Sequence, residues 1–134
     1  MNQNTSLQLY DSIGYLVQPQ IHIDAAVIVT GSHAGDSAAR FVLEHGERPL
    51  AVFFNDAGIG KDSAGISGLS LLQTHDIAAV AYSFESARIG EARDGLDNGI
   101  TTHLNVAAAG LNLWIGQPVA LAVQQLLKRR THRL

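Results

Sequence analysis

The sequence has no cysteine, and this absence excludes several kinds of chemistry. Without cysteine the chain has no disulfide bond, no thiolate nucleophile, and no zinc or iron-sulfur site that depends on sulfur ligands. Its histidines are scattered, and neither H-x-x-x-H nor H-E-x-x-H occurs. We therefore predict no metal site, although a magnesium ion on Asp56 and one neighbour stays an open alternative.

Long apolar runs are also missing from the chain. Its longest apolar stretches are far shorter than the roughly 20 residues that a membrane-spanning helix needs. The N-terminal residues MNQNTSLQLYDS lack both the charged region and the apolar region of a secretory signal peptide. We therefore expect a cytoplasmic protein that does not bind a membrane.

No strong charge of either sign is present. The chain has 9 lysines and arginines against 12 aspartates and glutamates, which gives a net charge of -3. One basic cluster lies near the C-terminus, at Lys128, Arg129, Arg130 and Arg133, where cations suit the end of a helix. We therefore expect no nucleic-acid partner. A length of 134 residues with 46% hydrophobic residues predicts a single globular domain over 1–134.

Three apolar runs, at 26–30, 50–54 and 77–84, have the pattern of strands buried on both faces. Short alternating segments within residues 5–25 add a hairpin or an edge strand. Helical patterns separate and follow the three runs, and Asp62 or Ser63 is the predicted N-cap of the second helix. The predicted helices are 36–46, about 62–75, about 94–109, and a last helix that begins at Pro118.

Strands that alternate with helices predict a parallel sheet covered by helices on both faces. The fold class is therefore α/β: a small three-layer α/β/α domain with a mostly parallel sheet. This pattern is broadly similar to Rossmann-like and flavodoxin-like domains. In such a sheet the loops that follow the strands emerge at the carboxyl edge, where ligands bind.

The loop after the first predicted strand contains Ser32 and His33. Histidine is the best general acid or base by residue type, because an ordinary imidazole titrates near physiological pH. We predict that His33 is catalytic and that Ser32 binds substrate. Their adjacency is no serine–histidine dyad, because neighbouring side chains of an extended segment point apart.

The second loop, NDAGIGKDS, has the glycines of a phosphate-binding loop but not the required spacing. A Walker A motif needs a glycine where Asn55 stands and a hydroxyl residue directly after Lys61, and the dinucleotide motif G-x-G-x-x-G is also absent. We therefore predict no nucleotide and no other cofactor. Asp56, directly after a strand, is the predicted catalytic base, and Asn55 and Lys61 are predicted to bind substrate.

The third loop, SFESARIGEARD, contributes Ser86 and Arg88 to the predicted substrate-binding residues. An arginine in this position can hold a carboxylate or phosphate with two parallel hydrogen bonds. Asn98 and Thr102 are predicted to lie one turn apart on the following helix, with Asn98 facing the substrate. Thr102 and His103, on the same helix, are further candidates for lining the site, although His103 is interpreted mainly as a packed residue.

These residues favour an enzyme that acts on a small anionic or amide-bearing metabolite by acid–base chemistry, as a hydrolase, lyase or isomerase does. The alternative is a small-ligand-binding or regulatory module without catalysis, or a small subunit of a larger enzyme. A chain of this length leaves little wall for a closed pocket, so we expect a homo-oligomer that forms through the C-terminal helices, with Trp114 as a packing or subunit-contact residue.

Overall fold

The fold is built on one five-stranded sheet. The structure, a computed structural model, describes residues 6–131. Arg133 of the basic cluster lies outside this range. Strands follow one another across the sheet in chain order, the first four parallel and the last antiparallel to the fourth. They are β1 (Leu7–Tyr10), β2 (Val27–His33), β3 (Ala51–Asn55), β4 (Ala78–Tyr82) and β5 (Thr101–Leu104).

Five α-helices and two short 3-10 helices connect or follow the strands. None of the helices in the described part of the chain is long and apolar enough to cross a membrane. The α-helices are α1 (Asp36–His45), α2 (Ser67–Gln73), α3 (Ala92–Asn98), α4 (Val106–Ala109) and α5 (Val119–Thr131), and the 3-10 helices are Ile13–Val17 and Lys61–Ser63.

Alternate residues of the central strands enter two separate apolar clusters. Val52 and Phe54 of β3 pack with residues of α1 and α2, whereas Ala51 and Phe53 of the same strand pack with residues of α5. Because successive strand side chains point to opposite faces, the two clusters occupy opposite faces of the sheet. All five β3 residues are buried, as the apolar run at 50–54 predicts. The α/β class and the mostly parallel sheet are thus confirmed.

The N-terminal expectation is confirmed only for its edge strand. β1 pairs in parallel with β2, at the edge of the sheet. The hairpin alternative is wrong, because Ile13–Val17 forms a 3-10 helix instead of a returning strand. The side chain of Ser12 accepts the backbone N–H of Gly14 and caps this helix. The chain therefore turns away from β1 directly after Tyr10.

The helix predicted over 94–109 is wrong in its middle, because β5 interrupts it. α3 ends at Gly99, whose backbone is extended with φ −62° and ψ 143°. The β-branched pair Thr101 and Thr102 then pairs with β4. A new helix, α4, starts after Asn105, whose side chain accepts the N–H of Ala108. Asn98 and Thr102 therefore lie on different elements and not one turn apart.

The second predicted helix is shorter than its pattern indicates. Asp62 and Ser63 lie within the 3-10 helix and do not cap an α-helix; both have positive φ angles, 56° and 59°. α2 begins only at Ser67, after a tight turn in which the N–H of Gly65 binds the carbonyl of Ile59. The last helix agrees with its prediction, since Pro118 directly precedes α5.

Asn105 joins three parts of the fold through one buried amide. Its NH2 group donates to the carbonyls of Leu69 (3.2 Å) and Ile77 (2.8 Å). Its oxygen accepts the N–H groups of Ala79 and Ala108, both at 3.0 Å. The side chain is 8% exposed, so water is a poor substitute for these partners. The amide thus ties α2, β4 and α4 together.

We expect Asn105→Ala to lower the free energy of unfolding by about 3 kcal/mol, because it leaves up to four backbone groups without their partner. Urea denaturation followed by circular dichroism measures the change. Gln124→Ala, at an exposed position of α5, is the control and should stay within about 0.5 kcal/mol of the parent. An Asn105→Ala protein as stable as the control would contradict the structural role of this amide.

Candidate functional site

The chain leaves β3 and β4 at the carboxyl edge of the sheet toward opposite faces. From β3 it runs to α2, whose Leu69 and Leu72 belong to the first apolar cluster. From β4 it runs through Ala87 to α3, whose Leu96 packs on the second cluster, on the other face. Ligands of α/β sheets bind at the carboxyl edge, so the ends of these two strands belong to the candidate site.

Asn55, at the end of β3, is fully buried and joins the loops on either side of it. Its NH2 group donates to the carbonyl of Ala87 at 3.1 Å, and its oxygen accepts the N–H of Ala57 at 2.8 Å. Neighbouring Tyr82 is also buried and donates its hydroxyl to the carbonyl of Thr30 at 2.7 Å. Burial raises the pKa of Tyr82, which keeps this donor protonated. Asn55 therefore connects the loops after β3 and β4, and Tyr82 connects β4 to β2.

Asp56 directly follows Asn55 in the chain and is only 4% exposed. One carboxylate oxygen accepts the backbone N–H groups of Gly58 (2.8 Å) and Phe84 (3.1 Å). The other accepts the hydroxyl of Thr102 at 2.9 Å. These three donors belong to the loop after β3, the loop after β4, and β5. The predicted catalytic base thus connects three elements through one carboxylate.

The hydrogen bonds continue from Asp56 through Thr102 to His103. The Nδ1 atom of His103 lies 3.1 Å from the Thr102 hydroxyl oxygen. A one-residue irregularity in the pairing of β4 with β5 occurs between the partners of Ala81 and Tyr82. Thr102 falls in this irregularity, which brings its side chain toward that of its neighbour although adjacent strand residues normally point apart. We call the three residues the Asp56–Thr102–His103 chain.

Donor and acceptor roles in this chain follow from its acid end. The carboxylate of Asp56, 2.9 Å away, and the carbonyl of Ala81, 3.3 Å away, can only accept, so the Thr102 hydroxyl donates its single proton to this pair, with the shorter distance to Asp56. The hydroxyl oxygen can then only accept, and Nδ1 of His103 must be the donor. In a neutral imidazole the other nitrogen, Nε2, then has a free lone pair. The chain therefore selects the tautomer in which Nε2 of His103 is the basic atom.

A cavity of about 260 Å³ lies between α2 and β5, and His103 lines it together with Ser70 and Gln73. The oxygen of Gln73 accepts the N–H of Ala107 at 2.8 Å, which leaves its NH2 group to donate. The rest of the lining is largely apolar, with Leu69 and Leu104 among it. Small-molecule sites typically combine an apolar wall with a few polar groups of this kind.

Ser32 and His33, from the first loop, lie at the end of β2. The hydroxyl of Ser32 accepts the N–H of Ile13 at 3.0 Å, so it anchors the first 3-10 helix. His33 is exposed and lies opposite Asn55, after an irregularity in the pairing of β2 with β3. Its imidazole packs over Gly35, where a Cβ atom would lie 2.6 Å from Nε2. His33 does not line the cavity that His103 lines.

Arg88 and Asn98 are brought together by Asp94. One oxygen of Asp94 accepts the backbone N–H of Arg88 at 2.8 Å, and the other accepts the Asn98 amide at 2.7 Å. The bond from Arg88, followed by the bond from Asn98, lowers the pKa of Asp94. The guanidinium of Arg88 is 79% exposed and lies 3.8 Å from Glu91. Both residues thus take part in ordering the turn into α3.

Ser86 and Lys61 complete the set of predicted residues. The hydroxyl of Ser86 donates to the carbonyl of Ser83 at 2.7 Å and accepts the N–H of Ile100 at 2.9 Å. Ser86 therefore connects the third loop to the start of β5. Lys61 is exposed, at the first position of the second 3-10 helix. No ion pair of Lys61 within 4 Å occurs among residues 6–131.

The glycine-rich second loop holds an unusual backbone conformation. Gly58 and Gly60 have φ angles of 73° and 75°, which glycine adopts at no steric cost. Ala57 and Ile59 also have positive φ, 51° and 68°, and for a β-branched residue such a conformation is strained. The carboxylate of Asp56 binds the N–H of Gly58 within this loop. The glycines thus serve a strained strand-to-helix turn.

Sequence reasoning placed Thr102 and His103 on a helix that could line the site, and it therefore missed the contacts that join them to Asp56. The signal that could have found them is the pair of β-branched threonines directly after Gly99, a pattern that favours a strand. No pattern indicates that this strand would lie beside β4 and meet Asp56. Within residues 6–131, no group of three or more histidine and acidic side chains could hold a metal ion.

We expect Thr102→Val to release His103 from its single tautomer, because valine keeps the shape of threonine but has no hydroxyl to accept from Nδ1. Imidazole ¹⁵N chemical shifts should show the proton of neutral His103 on Nδ1 in the parent protein and on both nitrogens in the variant. Thr74→Val is the matched control, since it removes the hydroxyl beside exposed His75. A parent protein whose His103 carries its proton on Nε2 would contradict the assigned chain.

No protein-family model, curated protein sequence or solved structure matches this chain. The five-stranded sheet, the cavity that His103 lines and the Asp56–Thr102–His103 chain are therefore the observations from which a function must be inferred.

Proposed function

We propose that this protein is an enzyme that uses His103 as a general base on a small carbonyl- or amide-bearing metabolite. The observation that carries the proposal is the Asp56–Thr102–His103 chain. It combines a buried carboxylate, a hydroxyl that contacts both the carboxylate and the imidazole, and an imidazole that lines a cavity. Oriented imidazoles are the commonest general acids and bases in enzymes.

The Asp56–Thr102–His103 chain supplies both the orientation of the imidazole and the negative charge that a general base of this kind needs. Nε2 takes a proton from a bound molecule or from water, and His103 becomes an imidazolium. Thr102 and the nearby carboxylate of Asp56 stabilise that positive charge, because the carboxylate is buried and has little access to water. The same Nε2 then returns the proton to the product. Hydrolases, lyases and isomerases all use this sequence of proton transfers.

The groups around His103 favour a carbonyl or amide over an anion. The free NH2 group of Gln73 is a donor for a carbonyl oxygen, and Ser70 adds a hydroxyl. Neither lysine nor arginine is among the described residues that line this cavity. Arg88 and Lys61 remain candidates for holding an anionic substituent, each in another loop at the carboxyl edge.

The alternative function is a non-catalytic ligand-binding module, or a small subunit of a larger enzyme. The observation that favours it is the use of Asp56 in the fold itself: its carboxylate already binds three donors from three elements. In that case the Asp56–Thr102–His103 chain holds β5 in position, and the protein catalyses no reaction. The cavity would then bind an apolar ligand and His103 would contribute one hydrogen bond.

We also propose that the protein forms a homo-oligomer through the surface near the start of α5. A cytoplasmic location and the lack of a nucleic-acid partner stay part of the proposal. Support for the oligomer comes from three exposed apolar residues close together in sequence. Trp114 is 50% exposed, Ile115 64% and Leu121 46%. Covering such side chains with a second copy would remove apolar area from water.

Substitution of the two candidate histidines tests the catalytic proposal. A thermal-shift screen with small amides, lactams and keto acids first finds a ligand, because a bound ligand raises the melting temperature by mass action. We then expect His103→Gln to lower kcat by about 100-fold or more, the usual contribution of a general base, with the thermal shift retained. His33→Ala, the matched control, should keep kcat within about two-fold.

Three outcomes distinguish the possibilities. Loss of turnover in His33→Ala alone would place the chemistry at the end of β2 and contradict the role of His103. Ligands that bind the parent protein without any turnover, and bind His103→Gln more weakly, would favour the non-catalytic module. Equal turnover in all three proteins would contradict both histidine assignments.

A further inference from the structure

A second and larger cavity lies at the amino edge of the sheet, away from the candidate site. It has a volume of about 480 Å³, within the usual range for small-molecule sites. One wall comes from the end of the first 3-10 helix and the segment after it, residues 16–22, and the other from the C-terminal half of α1 and the residues that follow it. The proposed chemistry at His103 makes no use of this cavity.

Part of the lining of this cavity is apolar. Leu16 and Ile21 come from the first wall, and Phe41 comes from α1. Leu16 is buried, whereas Ile21 and Phe41 are partly buried and pack against the first apolar cluster from its outer side. Phe41 thus offers an aromatic surface next to the cavity. Such a lining fits a ligand with an apolar body of the size of one ring.

The ionisable residues that line the cavity are two glutamates and two histidines, His22 and His45. Glu44 and Glu47 line it, and no lysine or arginine is among its described lining residues. Arg40, one turn before Glu44 on α1, lines a neighbouring groove and forms no ion pair within 4 Å with Glu44. The carboxylates also lie at the C-terminal end of a ten-residue helix, where the helix dipole is negative. The electrostatic field in the cavity therefore favours a cation.

Glu47 is held in place and kept ionised by its own neighbours. One oxygen accepts the backbone N–H of Ile23 at 2.8 Å, and the other lies 3.3 Å from Nδ1 of His22. The bond from Ile23, followed by the contact with His22, lowers the pKa of Glu47. One carboxylate of the cavity is thus a fixed negative charge.

His45 lies beside these carboxylates and is held by two residues. Its Nε2 lies 2.8 Å from the carbonyl of Ile21, which can only accept, so Nε2 carries a proton. Its Nδ1 lies 3.4 Å from the backbone nitrogen of Glu47 and 4.0 Å from a carboxylate oxygen of the same residue. The imidazole therefore adds a polar edge to the cavity.

We propose that this cavity binds a small organic cation, in which a protonated amine is attached to an apolar, ring-sized body. The ammonium group would lie between Glu44 and Glu47, and the apolar body would pack on Phe41, Leu16 and Ile21. Charge complementarity and the aromatic side chain support this ligand class over anions and over neutral molecules. The site is separate from His103 and does not depend on the proposed reaction.

Three matched probes test the proposal: phenethylamine, its neutral analogue 2-phenylethanol, and the anion 3-phenylpropionate. Titration of ¹⁵N-labelled protein at pH 8 follows the backbone signals. We expect phenethylamine to shift the signals of residues around Phe41 and His45, and to bind about ten-fold more tightly than either analogue. Binding of all three with equal affinity would contradict the proposed charge selectivity, and an absence of shifts around α1 would contradict the site.

Variants that change the charge equally separate the site from general electrostatics. Glu44→Gln removes a carboxylate of the cavity without touching a hydrogen bond of the fold, and it should weaken phenethylamine about five-fold. Glu85→Gln removes an exposed carboxylate of the loop after β4 and should leave the affinity unchanged. Equal weakening in both would show an effect of net charge alone and would overturn the proposal. Thermal melts confirm that both variants stay folded.

Discussion

The carboxyl edge of this protein depends on the carboxylate of Asp56. Its three hydrogen-bond donors come from the loop after β3, the loop after β4, and β5, which are far apart in the chain. A buried carboxylate is costly unless its oxygens are paired, so each of the three elements has a defined position relative to it. The strained turn at Ala57–Gly60 and the antiparallel end strand are both held by the same group.

Two buried amides extend this arrangement across the sheet. Asn55 connects the loops after β3 and β4 at the carboxyl edge, and Asn105 connects α2, β4 and α4 further along the last two strands. The apolar clusters on the two faces supply a non-directional driving force, whereas these amides determine which backbone groups meet. The same polar bonds leave His103 oriented toward a cavity, so the interactions that specify the fold also prepare the site.

Elements that follow from a local residue pattern were predicted well, and the element that depends on strand pairing was not. The runs at 26–30, 50–54 and 77–84 identify β2, β3 and β4 because strands buried on both faces need continuous apolar residues. β5 escaped prediction because TTHL is short, half-buried and polar, and it lies between two helical segments. The residue types at the carboxyl edge singled out Asp56 and named Thr102 as a possible residue of the site, but they did not predict that β5 brings the two side chains into contact.

The sequence by itself determined the α/β class, the order of the central strands and helices, and the edge at which polar residues gather. It could do so because apolar periodicity and glycine positions act within a few residues of the chain. Only the tertiary structure decided that Asp56 would bind Thr102, 46 positions away, and that Thr102 would orient His103. That decision rests on the register of β5 against β4 and on the irregularity at Thr102. Such a contact depends on distances between strands, which no local pattern of residues encodes.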